Sequence, residues 1–134
     1  MKEIEKNENE TKETIKVFAR DTFVVVQIGT SIYSPFGVSH FDNEKEVEER
    51  IQELSLTEIH NFNVSIIHYN SFIEVTSKYF SLRLYPQAKA ILYLEDKSHP
   101  EYTTWNKHFE LKNEEALLLF KYFLSHAENI SLDF

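Results

Sequence analysis

The chain has no cysteine and only two glycines, Gly29 and Gly37, among its 134 residues. Without cysteine there is no disulfide, no thiolate nucleophile and no cysteine-ligated zinc. Two isolated glycines cannot make a phosphate-cradling loop of the P-loop or dinucleotide type. The nucleophile elbow Gly-x-Ser-x-Gly and the zinc pattern His-Glu-x-x-His are both missing. No run approaches the roughly 18 apolar residues of a membrane-spanning helix. The first residues, MKEIEKNENETKETIK, are charged where a secretory leader is apolar. The expectation is a soluble, cytoplasmic, non-enzymatic protein with no cofactor, no metal and no membrane partner.

Basic residues are scarce as well. Fourteen Lys and Arg stand against 22 Asp and Glu, for a net charge of −8. Residues 42–58 hold seven acidic and two basic groups, whereas 59–109 hold four and five. No basic stripe exists to neutralise phosphates, so direct nucleic-acid binding is not expected. The acidic block reads either as solubilising charge or as a surface for a basic protein, such as a nucleic-acid-processing enzyme.

What the chain does have is apolar pattern. Hydrophobic residues make up 42% and aromatic residues 14% of it, enough for a folded core. Residues 1–13 are almost all charged or amide and read as a flexible arm. Residues 14–134 read as a single α+β domain. Ile15, Val17 and Ala19 alternate, and Phe23 to Val26 form a continuous run suited to a central strand, with a hairpin near Arg20-Asp21-Thr22. Ser34-Pro35-Phe36-Gly37 ends that region. From Asn43 the period becomes helical. Val47, Ile51 and Leu54 point inward, Asn43 or Asp42 caps, and Glu46 is placed to pair with Arg50. Glu48, Glu49 and Glu53 form the exposed acidic patch.

Beyond Ile59 the alternation is almost unbroken to Leu111. Phe62, Val64 and Ile66 share a face, as do Ile73 and Val75 across a turn at Tyr69-Asn70-Ser71. The apolar parity then flips, which predicts a bulge or break at Ser77-Lys78-Tyr79. A three-residue loop, Pro86-Gln87-Ala88, sets Leu84 opposite Ala90, Leu82 opposite Leu92 and Phe80 opposite Leu94. A last strand over 102–111 turns Trp105, Phe109 and Leu111 inward, with Tyr93 opposite Thr104 and Lys89 opposite His108. Asn113 caps a helix that is apolar around most of its girth, so it must be covered on more than one side. The whole predicts an antiparallel sheet of about five to six strands, one acidic surface helix after the first strands, and an apolar C-terminal helix packed on one sheet face.

The other sheet face carries the candidate site. By parity it presents Tyr79, Arg83, Tyr85, Ile91, Tyr93 and His108. Tyrosine and arginine are favoured anchors of protein interfaces, although high strand propensity explains tyrosine there equally well. The remaining histidines are weaker candidates. His40 and Asp42 have the spacing of an acid–base or metal pair, and His60 and His68 sit at strand ends. His99 lies in a loop beside Pro100, and His126 suits the negative end of its helix.

The element order loosely resembles that of the helix-grip, START-like ligand-binding domains. It also recurs in small immunity and inhibitor proteins, and the resemblance carries over no residues. Three function classes follow. The first is a non-enzymatic protein that inhibits or adapts another macromolecule, of immunity or phage type, using Tyr79, Arg83, Tyr85, Tyr93 and His108. The second is a small-molecule binder with a cavity between sheet and C-terminal helix. The third is an enzyme built on His40 and Asp42. The broad girth of the last helix also predicts a homodimer.

Overall fold

The computed structural model describes residues 14–20, 23–77, 80–86, 89–95 and 106–133. The expected α+β class holds, but there are two sheets where one was expected. The first is built from β1 (Ile15–Arg20), β2 (Phe23–Ile28), β3 (Ser31–Ser34), β4 (Gly37–His40) and β5 (Thr57–Ile59), in the order β4-β3-β2-β1-β5. β1 and β2 form the expected hairpin, with Val17 opposite Val26. Gly29, at φ 62°, makes the two-residue turn that pairs Ile28 with Ser31, a conformation open to glycine at no steric cost. The region read as one or two strands is therefore a four-stranded meander.

The continuous Phe23–Val26 run is central, as its composition implies. Val24 and Val26 join the main core, while Val25 faces the other way with Phe18 and Ile32. That second face is covered by α1 (Glu44–Glu53), through Val47 and Ile51. Asn43 Oδ1 accepts from the Glu46 N–H at 3.0 Å, which fixes the helix start. The inward stripe is shorter than expected, because Leu54 is exposed. Glu46 turns back to the Asp42 N–H, and Arg50 pairs with Glu53 at 3.5 Å instead. Glu48, Glu49 and Glu53 are exposed.

The second sheet holds β6 (Phe62–His68), β7 (Ile73–Thr76), β8 (Phe80–Tyr85), β9 (Lys89–Glu95), β10 (Asn106–Leu111) and β11 (Ala127–Asp133), in the order β10-β9-β8-β7-β6-β11. The β8–β9 register is the expected one, with Phe80 opposite Leu94, Leu82 opposite Leu92 and Leu84 opposite Ala90. The parity flip after Thr76 is a break that reverses the chain. The Ser77 N–H donates to Phe80 O, and Thr76 pairs with Ser81. The β9–β10 register differs from expectation, since Tyr93 faces His108 and Ile91 faces Glu110. The shift is four residues. Being even, it leaves every side chain on its expected face.

α2 (Asn113–Ser125) starts one residue earlier than expected. Its cap is Lys112, whose N–H donates to Glu115 Oε1. α2 then leads into β11, an unexpected strand that lies parallel to β6. Both halves of the chain thus follow one plan: a meander, a helix, and a final strand beside the meander's first strand. Each helix carries the chain from one edge of its sheet to the other. Strand directions confirm it, because β5 runs in the sense of β4 and β11 in the sense of β10.

The two sheets share one core, and α2 enters it. Phe123 and Leu119 are fully buried, and Phe123 stacks on Phe80 with centroids 4.3 Å apart. Phe62 meets the edges of both rings. On its other side α2 reaches β1, so two sides of its girth are covered within one chain, while Leu117 stays exposed. Phe109, Phe120 and Tyr122 pack against this core from its margin, while Trp105 lies outside the described residues. The Tyr122 hydroxyl is buried with no hydrogen-bond partner, and burial together with the Glu58 carboxylate raises its pKa above the ordinary phenol value.

Two stability predictions follow from this packing. Phe123→Ala should cost about 3–5 kcal/mol in urea denaturation, whereas Leu117→Ala, at a side chain 53% exposed, should stay within about 0.5 kcal/mol. Near-equal losses would contradict this core. For Tyr122 the folded state disfavours the phenolate. Its contribution is therefore complete below the unfolded phenol pKa of about 10 and is lost as pH rises through the folded value. Tyr122→Phe should leave neutral stability unchanged or raised by about 1 kcal/mol. It should also lessen the alkaline loss seen in thermal melts taken above about pH 10.

Candidate functional site

Among the described residues the first sheet is covered on both faces, but the second is covered on one. Its free face is set by alternation along β7, β8, β9 and β10. Val75, Leu82, Leu92 and Phe109 point to the core, so Glu74, Arg83, Ile91, Tyr93, His108 and Glu110 point away. Arg83, Tyr85, Tyr93 and His108 therefore stand together on one surface, as the alternation implies. Tyr79 lies outside the described residues.

Arg83 is the centre of this surface. Its Nε donates to Glu74 Oε2 at 3.0 Å, across the β7–β8 pair. Its guanidinium carbon lies 4.6 Å from the Tyr93 ring centroid and 5.0 Å from that of Phe72, so an aromatic ring flanks it on two sides. Burial works against the guanidinium charge. Hydrogen bonds to Glu74 and Tyr85, with the fields of Tyr93 and Glu74, more than offset it and hold the pKa above the ordinary value. Glu74 is only 8% exposed and also accepts from Ser81 Oγ and, at 3.4 Å, from the Tyr69 hydroxyl. A carboxylate with three donors is a fixed anchor. It holds the arginine in one place before any partner arrives.

Aromatic rings extend the surface in both directions. Tyr69 stacks on Phe72 at 4.6 Å, and Phe72 leans on Tyr85 at 5.0 Å. On the other side Tyr93 tilts against His108 at 5.8 Å. The run from the β6–β7 turn to β10 is continuous. Sequence reading missed three of its members: Tyr69, Phe72 and Glu74. The signal for Glu74 was an acid between β-branched neighbours, Ile73 and Val75. Its partner could be found only by recognising that the chain reverses after Thr76, which brings Arg83 opposite.

The other candidates do not join this surface. α1 lies on the far side of the first sheet, so Glu48, Glu49 and Glu53 face away from the Arg83 surface across the whole layer stack. His40 is exposed and bonded through Nδ1 to Ser31 Oγ at 2.7 Å. His60 sits 3.8 Å from Glu58 in an exposed pair. Among the described residues no three His, Asp or Glu side chains gather as a metal set. The described depressions are open. One of about 350 Å³ lies by Tyr69, Phe72 and Tyr85, and one of about 280 Å³ runs beside α2 along Leu84, Ala90, Leu117 and Phe120. No helix among the described residues is long and apolar enough to cross a membrane.

No protein-family model, curated protein or solved structure matches this chain.

The geometry makes Glu74 a positioning residue. Glu74→Gln keeps the shape but removes the charge facing Arg83, and should lower stability by about 1–2 kcal/mol in denaturant titration. It should also loosen the arginine, seen as increased motion of its Nε–H in NMR relaxation. An unchanged Nε–H signal would show that the rings alone hold Arg83.

Proposed function

We propose that this chain is a non-enzymatic interaction protein that inhibits or adapts another protein, of immunity or phage type, through the free face of its second sheet. The observation that carries this reading is Arg83, held by Glu74 between Phe72 and Tyr93 on a face that no described residue covers. Pre-positioned aromatic and arginine side chains bind at low entropic cost, because their freedom is already lost in the free protein. A nucleic-acid ligand fits poorly. The cation at the centre is already compensated by Glu74, and the chain carries −8. The acidic surface of α1, on the opposite side, suits long-range attraction of a basic partner such as a nucleic-acid-processing enzyme. A cytoplasmic setting accords with the lack of cysteine. The small-molecule reading has less support because Phe80, Leu119 and Phe123 close the centre of the core, and the depression left between the second sheet and α2, along Leu84, Ala90, Leu117 and Phe120, is open.

The test is affinity capture from the source cell with matched variants. Tyr93→Ala and Arg83→Lys should each weaken capture of the partner by more than about 1–2 kcal/mol, roughly tenfold, with little change in melting temperature. Lysine keeps the charge and forfeits the flat stacking. Glu49→Lys should mainly slow association and change its salt dependence. A partner retained equally by the Tyr93 and Arg83 variants but lost with Glu49→Lys would overturn the reading in favour of a charge mimic. A small mass retained in native mass spectrometry would favour the ligand-binding reading.

A further inference from the structure

β11 differs from the other edge strands. β4 and β5, the edges of the first sheet, have four and three residues, and β10 has six. β11 has seven, is hydrogen-bonded on the β6 side, and ends the sheet on the other. It carries no lysine or proline, and its two acids, Glu128 and Asp133, stand towards its ends, leaving Asn129 to Leu132 without charge. Its one irregularity, between Ala127 and Asn129, comes before its apolar pair. That pair, Ile130 and Leu132, is 49% and 61% exposed. The two stand on the core face of the sheet, because Ile130 pairs with Val64 and Leu132 with Ile66. The cover given by α2 and the first sheet stops short of them.

We infer that β11 is the joint at which a second copy of this chain adds antiparallel, across a two-fold axis, to make one continuous sheet of twelve strands. Shape selects this arrangement, since an axis at Ser131 places Ile130 opposite Leu132 of the second copy, twice, on one face of the joined sheet. A seven-residue ladder is about 23 Å long and, with four apolar side chains, buries on the order of 1,000 Å², the lower limit for a specific interface. Because β11 extends the second sheet, both Arg83 surfaces lie on the same side of the joined sheet. They are seven strand spacings apart, about 34 Å, and are offered to a partner as a pair.

Sedimentation equilibrium of the full chain at micromolar concentrations tests the joint. The expected mass is twice the 15.9 kDa of one chain. Ile130→Lys combined with Leu132→Lys should weaken association by at least about tenfold, while the melting temperature measured at dilutions where the chain is monomeric is unchanged, because both side chains are exposed there. Leu132→Thr, which keeps strand propensity, should shift the equilibrium in the same direction and serves if the double variant misfolds. Amide protection in β11 should rise with protein concentration in hydrogen exchange. A monomer at tens of micromolar overturns the inference. So does a dimer whose dissociation constant neither variant moves.

Discussion

The contact of Phe123 with Phe80 and Phe62 is the interaction on which the rest of the structure depends. α2 is apolar over most of its circumference and could not remain on the surface of one sheet. By entering between the second sheet and β1 it joins two meanders into one core. The first sheet must then be buried on both faces, with α1 completing its cover. The second sheet keeps one face free. A candidate binding surface exists on this chain because the described residues form two helices and four sheet faces, and one helix serves two faces at once.

The free face is organised by a single ion pair in an aromatic setting. An arginine on an open strand ordinarily samples many rotamers, and fixing it costs entropy when a partner binds. Here that cost is met on folding, by Glu74 below it and by Phe72 and Tyr93 on either side. The surface is close to neutral at its centre, while the acidity of the chain is concentrated on α1. The two features lie on opposite sides of the layers and differ in kind: a fixed shape with hydrogen bonds on one side, a concentration of negative charge on the other.

Much of this was legible in the sequence. The Asn43 cap, the Val47–Ile51 stripe, the β8–β9 register and the face of every described side chain from Phe80 to Leu111 follow from local periodicity. The register error has a simple origin. A period of two fixes register only to the nearest even number, so the four-residue shift between β9 and β10 was invisible, although it exchanged Thr104 for His108 as the neighbour of Tyr93. The flip after Thr76 was legible as a discontinuity, but whether it bulged or reversed the chain was not. Glu74 therefore went unpaired on paper.

Sequence alone determined which residues are apolar, with what period, and hence which sides of strands and helices seek cover, because these depend on neighbours a few positions apart. Tertiary structure decided that the strands divide into two sheets, that α2 lies between them, that β11 pairs parallel with β6, and that Glu74 meets Arg83. Each of these rests on contacts between segments separated along the chain. Their choice among competing pairings depends on the core as a whole and leaves no local trace in the residues that make them.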